Sequence, residues 1–152
     1  MSETDNAATA QRIVETNMYM TIATADADGR PWVSPVWFAT GSDTEFLWVS
    51  RPAARHSQNI AVRQEIAVVI FDSTVPIGGA EALYLEALAE EVPADAVDEA
   101  IGAFSRRSQA CGAGAWETKD VMPPASFRLY RARAGSSFVL GRGDERLPVT
   151  GR

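Results

Sequence analysis

Apolar positions recur along the chain with two different periods, and the changes of period divide it into predicted elements. Residues 4–17 carry a short apolar stripe at helical spacing, and residues 4–6 offer capping side chains, so they predict a first helix. The chain then becomes rich in aromatic and β-branched residues, which is typical of strands. Asp28-Gly29 separates the first two strands and predicts a hairpin turn, because glycine accepts the positive φ that such turns require. The predicted strands are residues 18–25, 31–39, 44–50, 65–72, 82–92, 126–134 and 136–141.

The segment 82–92, ALYLEALAEEV, is open to two interpretations. Its alanines, leucines and glutamates have high helix propensity, which favours a helix. Its apolar side chains nevertheless fall on one face at period two, from Leu83 and Leu85 to Ala87 and Ala89. We therefore predict a long strand with one face in water.

Two further helices are predicted after the third strand. Residues 52–64 form a short helix with Pro52 in its first turn, and residues 93–110 form a longer one with acidic residues near its start and arginines near its end. Antiparallel strands joined by short turns, with helices inserted between them, predict a mainly β fold: a small barrel of six to seven antiparallel strands with helices at its rim.

Composition and charge narrow the possible functions. The chain has 152 residues, which fits a single domain spanning 1–152, and its net charge of −6 argues against a binder of nucleic acid or of an anionic membrane. The one cysteine, Cys111, excludes an intramolecular disulfide, and no metal site is predicted. The polar N-terminus does not resemble a signal peptide, and no apolar run is long enough to span a membrane. These features predict a cytoplasmic protein.

Pro35 lies in the middle of the second predicted strand. Proline cannot donate to a sheet ladder, so Pro35 is expected to interrupt pairing and to leave nearby backbone groups for a ligand. A bulge or an edge strand with nothing bound is the alternative.

A cluster of basic residues surrounds the start of the second helix. Arg51, Arg55 and His56 follow Ser50, which ends a predicted strand. A helix N-terminus with arginines nearby is suited to holding a phosphate. The alternative is that these side chains form a solvated helix face.

Residues 111–125 form a long connection of the kind that often carries function. Trp116 lies in this connection between glycine-rich and charged residues, so it is a candidate for contact with a ligand or a partner. The other three tryptophans lie in predicted strands, where packing is the more frequent role.

Three stretches together resemble the pyridoxamine 5′-phosphate oxidase-like family of FMN-binding split barrels. They are TIATADADGRPWVSPVWF, FLWVSRPAARHSQNI and IAVVIFD, and the similarity covers residues 18–92 well and the closing strands more loosely. The resemblance implies a split barrel that forms a homodimer, with two cofactor sites at the subunit interface. It also implies FMN as cofactor, with the deazaflavin F420 as the alternative, because the family includes F420-dependent reductases.

The resemblance further implies a set of cofactor-binding residues. The strand matching residues 33–37 lies against the flavin ring in the family, and the helix that matches residues 54–56 holds the phosphate. Many members read Ser-Arg-Lys where this chain has Ala54, Arg55 and His56, and this departure leaves room for a different cofactor. The expected contacts are Ser34, Pro35, Val36, Trp37, Val49, Ser50, Arg55, His56, Asn59, Trp116 and Arg146.

The expected function is a flavin- or F420-dependent oxidoreductase that acts on an unidentified small molecule, and no catalytic side chain is assigned. A true pyridoxamine phosphate oxidase is not expected, because positions where some members carry Arg and Lys read Ser34 and Ala39 here. The alternatives are a flavin-binding or storage protein without turnover and, disfavoured by the acidic charge, a barrel that binds single-stranded nucleic acid.

Overall fold

The computed structural model describes residues 2–42 and 44–150, which form helices packed around an antiparallel sheet. Within these residues, no helix is both long and apolar enough to cross a membrane. The helices are α1 (Glu3–Thr16), α2 (Arg55–Val62) and α3 (Val97–Ala110). The strands are β1 (Tyr19–Ala25), β2 (Pro31–Trp37), β3 (Ala39–Thr40), β4 (Glu45–Ser50), β5 (Glu65–Phe71), β6 (Ala82–Glu91), β7 (Arg128–Leu140) and β8 (Arg146–Pro148).

The sheet curls because one continuous piece of chain supplies both of its ends. The strand order is β2-β1-β5-β6-β7-β4-β3, with β8 added to β7, so β2 and β3 lie at opposite ends of the path. Only Phe38 separates these two strands along the chain, and its side chain is buried. The predicted mainly β barrel with flanking helices is confirmed, and the seven strands of the main path agree with the predicted number.

In β6, side chains alternate between the buried face and the exposed face of the sheet. Leu83 is 1% exposed and Leu85 is buried beside it, whereas Leu88, one step out of phase, is 58% exposed. Val68 and Ile70 of β5 pair with the two buried leucines and are buried as well. The strand interpretation of residues 82–92 is therefore confirmed, because period two and not helix propensity decides which side chains reach the core.

A second apolar cluster lies between α3 and the β3–β4 end of the sheet. Val97, Ile101 and Phe104 face inward from α3, as the spacing of residues 93–110 predicts. A short 3-10 turn (Ala94–Ala96) precedes α3, so the helix proper begins at Val97.

Two predicted boundaries are wrong, and one strand is missing from the prediction. Residues 126–134 and 136–141 form one strand, β7, because the chain passes through Gly135 extended and β6 pairs with it on both sides of that glycine. The C-terminal segment forms β8, after a turn in which Gly143 and Asp144 adopt positive φ. The cap of α1 is Ser2, outside the range 4–6: its Oγ accepts from the Asp5 N–H and its own N–H donates to the Asp5 carboxylate.

Candidate functional site

The start of α2 presents unused backbone donors. Ala54 caps the helix with an extended backbone and no side-chain hydrogen bond, and the first turn contains no acidic residue. The segment before it is a turn, closed by a hydrogen bond from the Ala54 N–H to the Arg51 carbonyl at 3.0 Å, so the helix begins at Arg55 and not at Pro52. The first N–H groups of a helix have no intrahelical acceptor, and with no capping side chain they are available to an anion.

The guanidinium of Arg55 lies over the indole ring of Trp32, 4.3 Å from the ring centre. This contact joins the first residue of α2 to the edge strand β2. The Asp26 carboxylate accepts N–H bonds from Asp28 and Arg30, both at 2.9 Å. The bond from Arg30 contributes most to lowering the pKa of Asp26, and the charge of Arg55 acts in the same direction. The Arg55 guanidinium therefore rests on the Trp32 ring. It forms no salt bridge with a carboxylate of residues 2–42 or 44–150.

His56 is tied to the strand that precedes the helix. Its Nε2 and the Ser50 hydroxyl are 2.9 Å apart, and the direction of this hydrogen bond depends on the tautomer of the imidazole. The ring is half-buried, and burial lowers the pKa of His56 because it disfavours the charged imidazolium. His56 therefore contributes a neutral hydrogen-bonding ring to the site at neutral pH, and Ser50 fixes its orientation.

A buried polar contact fastens the underside of α2 to the barrel. Asn59 is buried and donates from Nδ2 to the Thr24 hydroxyl at 3.0 Å. Within the same core, Tyr130 of β7 stacks on Trp48 of β4 with ring centres 5.9 Å apart. Burial raises the pKa of Tyr130. Asn59 thus anchors the helix to β1, and its expected role as a cofactor contact stays a prediction.

β2 carries its expected contacts on two different faces. Ser34 and Val36 alternate with Pro35 and Trp37, and Val36 is part of the main core. Trp37 packs edge-on against Phe104 of α3, with ring centres 4.9 Å apart. Because neighbouring side chains of a strand point to opposite faces, these four residues cannot all contact one ligand through their side chains.

Pro35 does not interrupt the pairing of β2 with β1. The register runs without a break from Tyr19↔Trp37 to Ala25↔Pro31, with Pro35 opposite Thr21. The prediction of broken pairing is wrong because β2 lies at the end of the sheet path, where proline is tolerated. Among residues 2–42 and 44–150, no strand pairs with the far side of β2. Backbone N–H and C=O groups on that free side therefore remain available to a ligand, as on other edge strands.

Val49 and Trp116 are both partly buried against the second core cluster. The loop that carries Trp116 is pinned to α3: the Trp116 N–H donates to the Ser105 hydroxyl at 2.8 Å, and the Ser108 hydroxyl donates to the Gly114 carbonyl at 2.7 Å. The Trp116 ring also packs edge-on against Phe127, with ring centres 6.4 Å apart. Of the expected contacts, Ser50, Arg55 and His56 are brought together at one place.

Arg146 has contacts of its own, away from the start of α2. It belongs to β8, which pairs with β7 and not with β2. Its guanidinium lies over the ring of Tyr84 at 4.2 Å and pairs with Asp144 at 2.9 Å. Its expected role as a cofactor contact stays a prediction.

Two aromatic residues at the site are missing from the sequence-based expectation. The sequence predicts that Trp32 packs within its strand, but it is 40% exposed and its ring lies under the Arg55 guanidinium. Phe127 lies under the guanidinium of Arg51, 5.0 Å from the ring centre. No signal in the sequence reveals these contacts, because each ring lies far along the chain from the arginine that it contacts.

Comparison with known proteins places this geometry in a family. The family model described as pyridoxamine 5′-phosphate oxidase matches residues 7–136. No curated protein sequence matches the chain.

Several solved structures share the fold at low identity. The heme storage protein HutZ from Vibrio cholerae is 20% identical, with 85% of this chain and 90% of that chain covered and a TM-score of 0.69. A heme-binding protein from Mycobacterium smegmatis is 19% identical with a TM-score of 0.75, and the match covers 99% of this chain but 58% of that one. An F420 reductase is 19% identical, with 84% and 94% covered and a TM-score of 0.61.

The family match spans most of the chain, and the curled sheet with flanking helices agrees with these structures. The chain therefore belongs to the pyridoxamine 5′-phosphate oxidase-like split-barrel family.

Proposed function

We propose that the protein binds a flavin-type cofactor, FMN or F420, at the start of α2 and uses it to oxidise or reduce a small molecule. The observation that carries this proposal is the position of Arg55, held over Trp32 beside an uncapped helix start. The fold supports it, since one structure of the same fold is an F420 reductase.

The donors at the start of α2 fit a phosphate group. Arg55 supplies a planar fork of N–H donors with a permanent charge, and the first-turn amides of the helix add neutral donors. His56 adds a neutral ring whose Nε2 is engaged with Ser50. In this proposal Arg55 provides most of the charge for binding, and His56 shapes the pocket.

The chain needs few acid–base groups for this chemistry. The bound cofactor would supply hydride or electron transfer, and the protein would bind it, orient it and exclude water. The chain has one histidine, and Ser50 already engages its ring. The free side of β2 offers backbone groups along which the ring system of the cofactor can be oriented.

The proposal includes a homodimer with the cofactor at the interface. The outward face of the sheet exposes large apolar side chains, with Tyr19 61% and Val33 58% exposed. In this proposal a second copy of the chain covers these side chains. In the same proposal Arg146 of the second copy completes the site.

A flavin-binding or storage protein without turnover is the second candidate. The observation in its favour is that His56 is the only histidine of the chain and that its ring is already engaged by the Ser50 hydroxyl. Structures of this fold also include a protein described as heme storage, so a storage role has precedent in the fold.

The test is a fluorescence titration of cofactor-free protein with FMN and with F420, on wild type, Arg55→Ala and Arg63→Ala. Arg63 is the matched control, because it caps the other end of α2 and donates to the Asp26 carbonyl at 3.3 Å. Saturable binding that Arg55→Ala weakens and Arg63→Ala preserves is expected. Equal affinity in Arg55→Ala would remove Arg55 from the site.

Turnover is then assayed with NADH, NADPH and reduced F420 as electron donors. Reduction of bound cofactor faster than that of free cofactor supports the oxidoreductase. Tight binding without any such acceleration supports the storage alternative, and saturable binding of heme alone would refute both flavin proposals.

A further inference from the structure

A cavity of about 330 Å³ lies between α1, the inner face of the sheet and the segment that follows β8. Its floor is made by members of the main core, Phe46 of β4 and Leu83 and Leu85 of β6, and α1 contributes Ala10. Among residues 2–42 and 44–150, neither α2 nor β2 contributes to the lining, so the cavity is separate from the start of α2. A volume of this size is within the range of small-ligand sites.

Small side chains on β7 create this space. Ala134, Gly135 and Ser137 all line the cavity. The register of β6 with β7 passes directly from Ser136 to Ala134, so Gly135 is the extra residue of a β-bulge. Ser137 pairs with Leu85, and directly opposed residues share a face of the sheet, so its hydroxyl belongs to the same inward face as that leucine. The cavity therefore has an apolar floor and one inward hydroxyl group.

A buried acceptor at the edge of the cavity lacks a hydrogen bond. Asn6 is 5% exposed, lies one helical turn before Ala10 and donates from Nδ2 to the Pro148 carbonyl at 3.1 Å. Ala10 and Pro148 both line the cavity, so the Asn6 amide adjoins it. Within residues 2–42 and 44–150, its Oδ1 accepts no hydrogen bond. Reversing the amide would only turn Oδ1 toward the Pro148 carbonyl oxygen, so the missing donor has to come from elsewhere.

The chemistry of the lining selects a neutral molecule. In the part of the chain that the structure describes, no charged side chain lines the cavity, so a charged ligand would lose its hydration without compensation. We infer that the cavity binds a small neutral alcohol or phenol. Its apolar body packs on Phe46, Leu83 and Leu85, and its hydroxyl group donates to Oδ1 of Asn6. This inference goes beyond the proposed function and does not depend on a cofactor at α2.

The test is a two-dimensional ¹H–¹⁵N NMR titration of the full-length chain with p-cresol, toluene and p-toluate, which share a methylphenyl body. The first carries a hydroxyl group, the second no polar group and the third a carboxylate. Ala10→Leu fills the cavity from α1, and Ser137→Leu fills it from β7. Ala8→Leu is the matched control, because it adds the same side chain at an exposed position of α1. Asn6→Ala removes the unpaired acceptor, and thermal unfolding checks that each variant is folded.

Saturable binding of p-cresol is expected, with shifts of the Ala10 and Leu85 amide signals. Toluene is expected to bind severalfold more weakly, the value of one hydrogen bond, and p-toluate at least tenfold more weakly. Asn6→Ala should remove the preference for p-cresol over toluene and preserve the affinity for toluene. Each filling variant should abolish binding, and Ala8→Leu should leave it unchanged.

Three results would overturn the inference: no saturable binding of p-cresol by the wild type, p-toluate binding as tightly as p-cresol, or undiminished binding by a folded filling variant. An unchanged preference for p-cresol in Asn6→Ala would also overturn it, because the hydroxyl group would then have another partner. If neither filling variant folds, the comparison of the three compounds on wild type and Asn6→Ala decides the question.

Discussion

The imidazole of His56 and the hydroxyl of Ser50 are 2.9 Å apart, joining the first turn of α2 to the last residue of β4. Helix and strand are thereby fixed to each other at the place where the donors of the site converge. Because the ring is half-buried and its pKa is lowered, this contact also links the site to pH.

The first prediction concerns the stability of the fold against acid. The pKa of His56 is lower in the folded chain than the ordinary value of 6.5, so the unfolded chain takes up the proton first as pH falls. Stability is therefore expected to decrease as pH drops below about 6.5 and to continue decreasing until the folded pKa is passed. Thermal unfolding of wild type and His56→Gln between pH 7.5 and 5.5 measures this.

His56→Gln keeps a hydrogen-bonding side chain but does not titrate, so its unfolding temperature should decline less over that interval. Parallel curves for the two proteins would show that His56 does not control the acid sensitivity.

The second prediction concerns the coupling between Arg55 and Trp32. Arg55→Ala is expected to weaken FMN binding by about ten- to a hundredfold, the value of a charge-assisted hydrogen bond. Trp32→Leu is expected to weaken it less, because it removes the support of the guanidinium and not the charge. The double variant should resemble Arg55→Ala, since the ring acts through the arginine. Losses that simply add in the double-mutant cycle would show that Trp32 acts independently.

The third prediction compares two leucines of the same strand. Leu83→Ala is expected to lower the free energy of unfolding by about 2–5 kcal/mol, because Leu83 is 1% exposed and its removal leaves a cavity in the core. Leu88→Ala is expected to change the unfolding free energy of the protomer by less than about 0.5 kcal/mol, because Leu88 is 58% exposed. Urea denaturation measures both. Similar losses in the two variants would contradict the inward and outward assignment of β6.

The fourth prediction concerns the outward face of the sheet. Val33→Asp places a charge on that face, opposite Ala23 of β1, and is expected to convert a dimer of the chain into a monomer. Light scattering coupled to size-exclusion chromatography measures the mass. Val62→Asp, a similar change at an exposed valine on α2, serves as the control. A monomeric wild type that binds cofactor with full affinity would rule out a site shared between subunits.

The sequence by itself predicted much of the fold, because burial follows periods of two and 3.6 that are visible in a few residues. The alternation of Leu83 and Leu85 with polar neighbours predicted β6, and the stripe on residues 97–104 predicted the buried face of α3. The glycine of the Asp28-Gly29 pair adopts φ +85°, as the turn between β1 and β2 requires. These features are local, so the sequence is sufficient to reveal them.

The candidate site was predicted only in part. The sequence placed Ser50, Arg55 and His56 near one helix start, because they are close along the chain. It did not reveal that Asn59 lies on the buried side of α2. It also did not reveal that Pro35 is tolerated in β2 because this strand is at the end of the sheet path. Those facts depend on which strand pairs with which and on how the sheet curls.

The contacts that give the site its shape were decided by tertiary structure alone. Trp32 and Arg55 meet across a gap of many residues, as do Arg51 and Phe127. Nothing in the local sequence of either partner specifies the other, because the contact exists only after β2, α2 and the segment before β7 have docked on the same end of the barrel. The residue types therefore determined what chemistry the chain could offer, and the packing of distant segments decided where that chemistry converges.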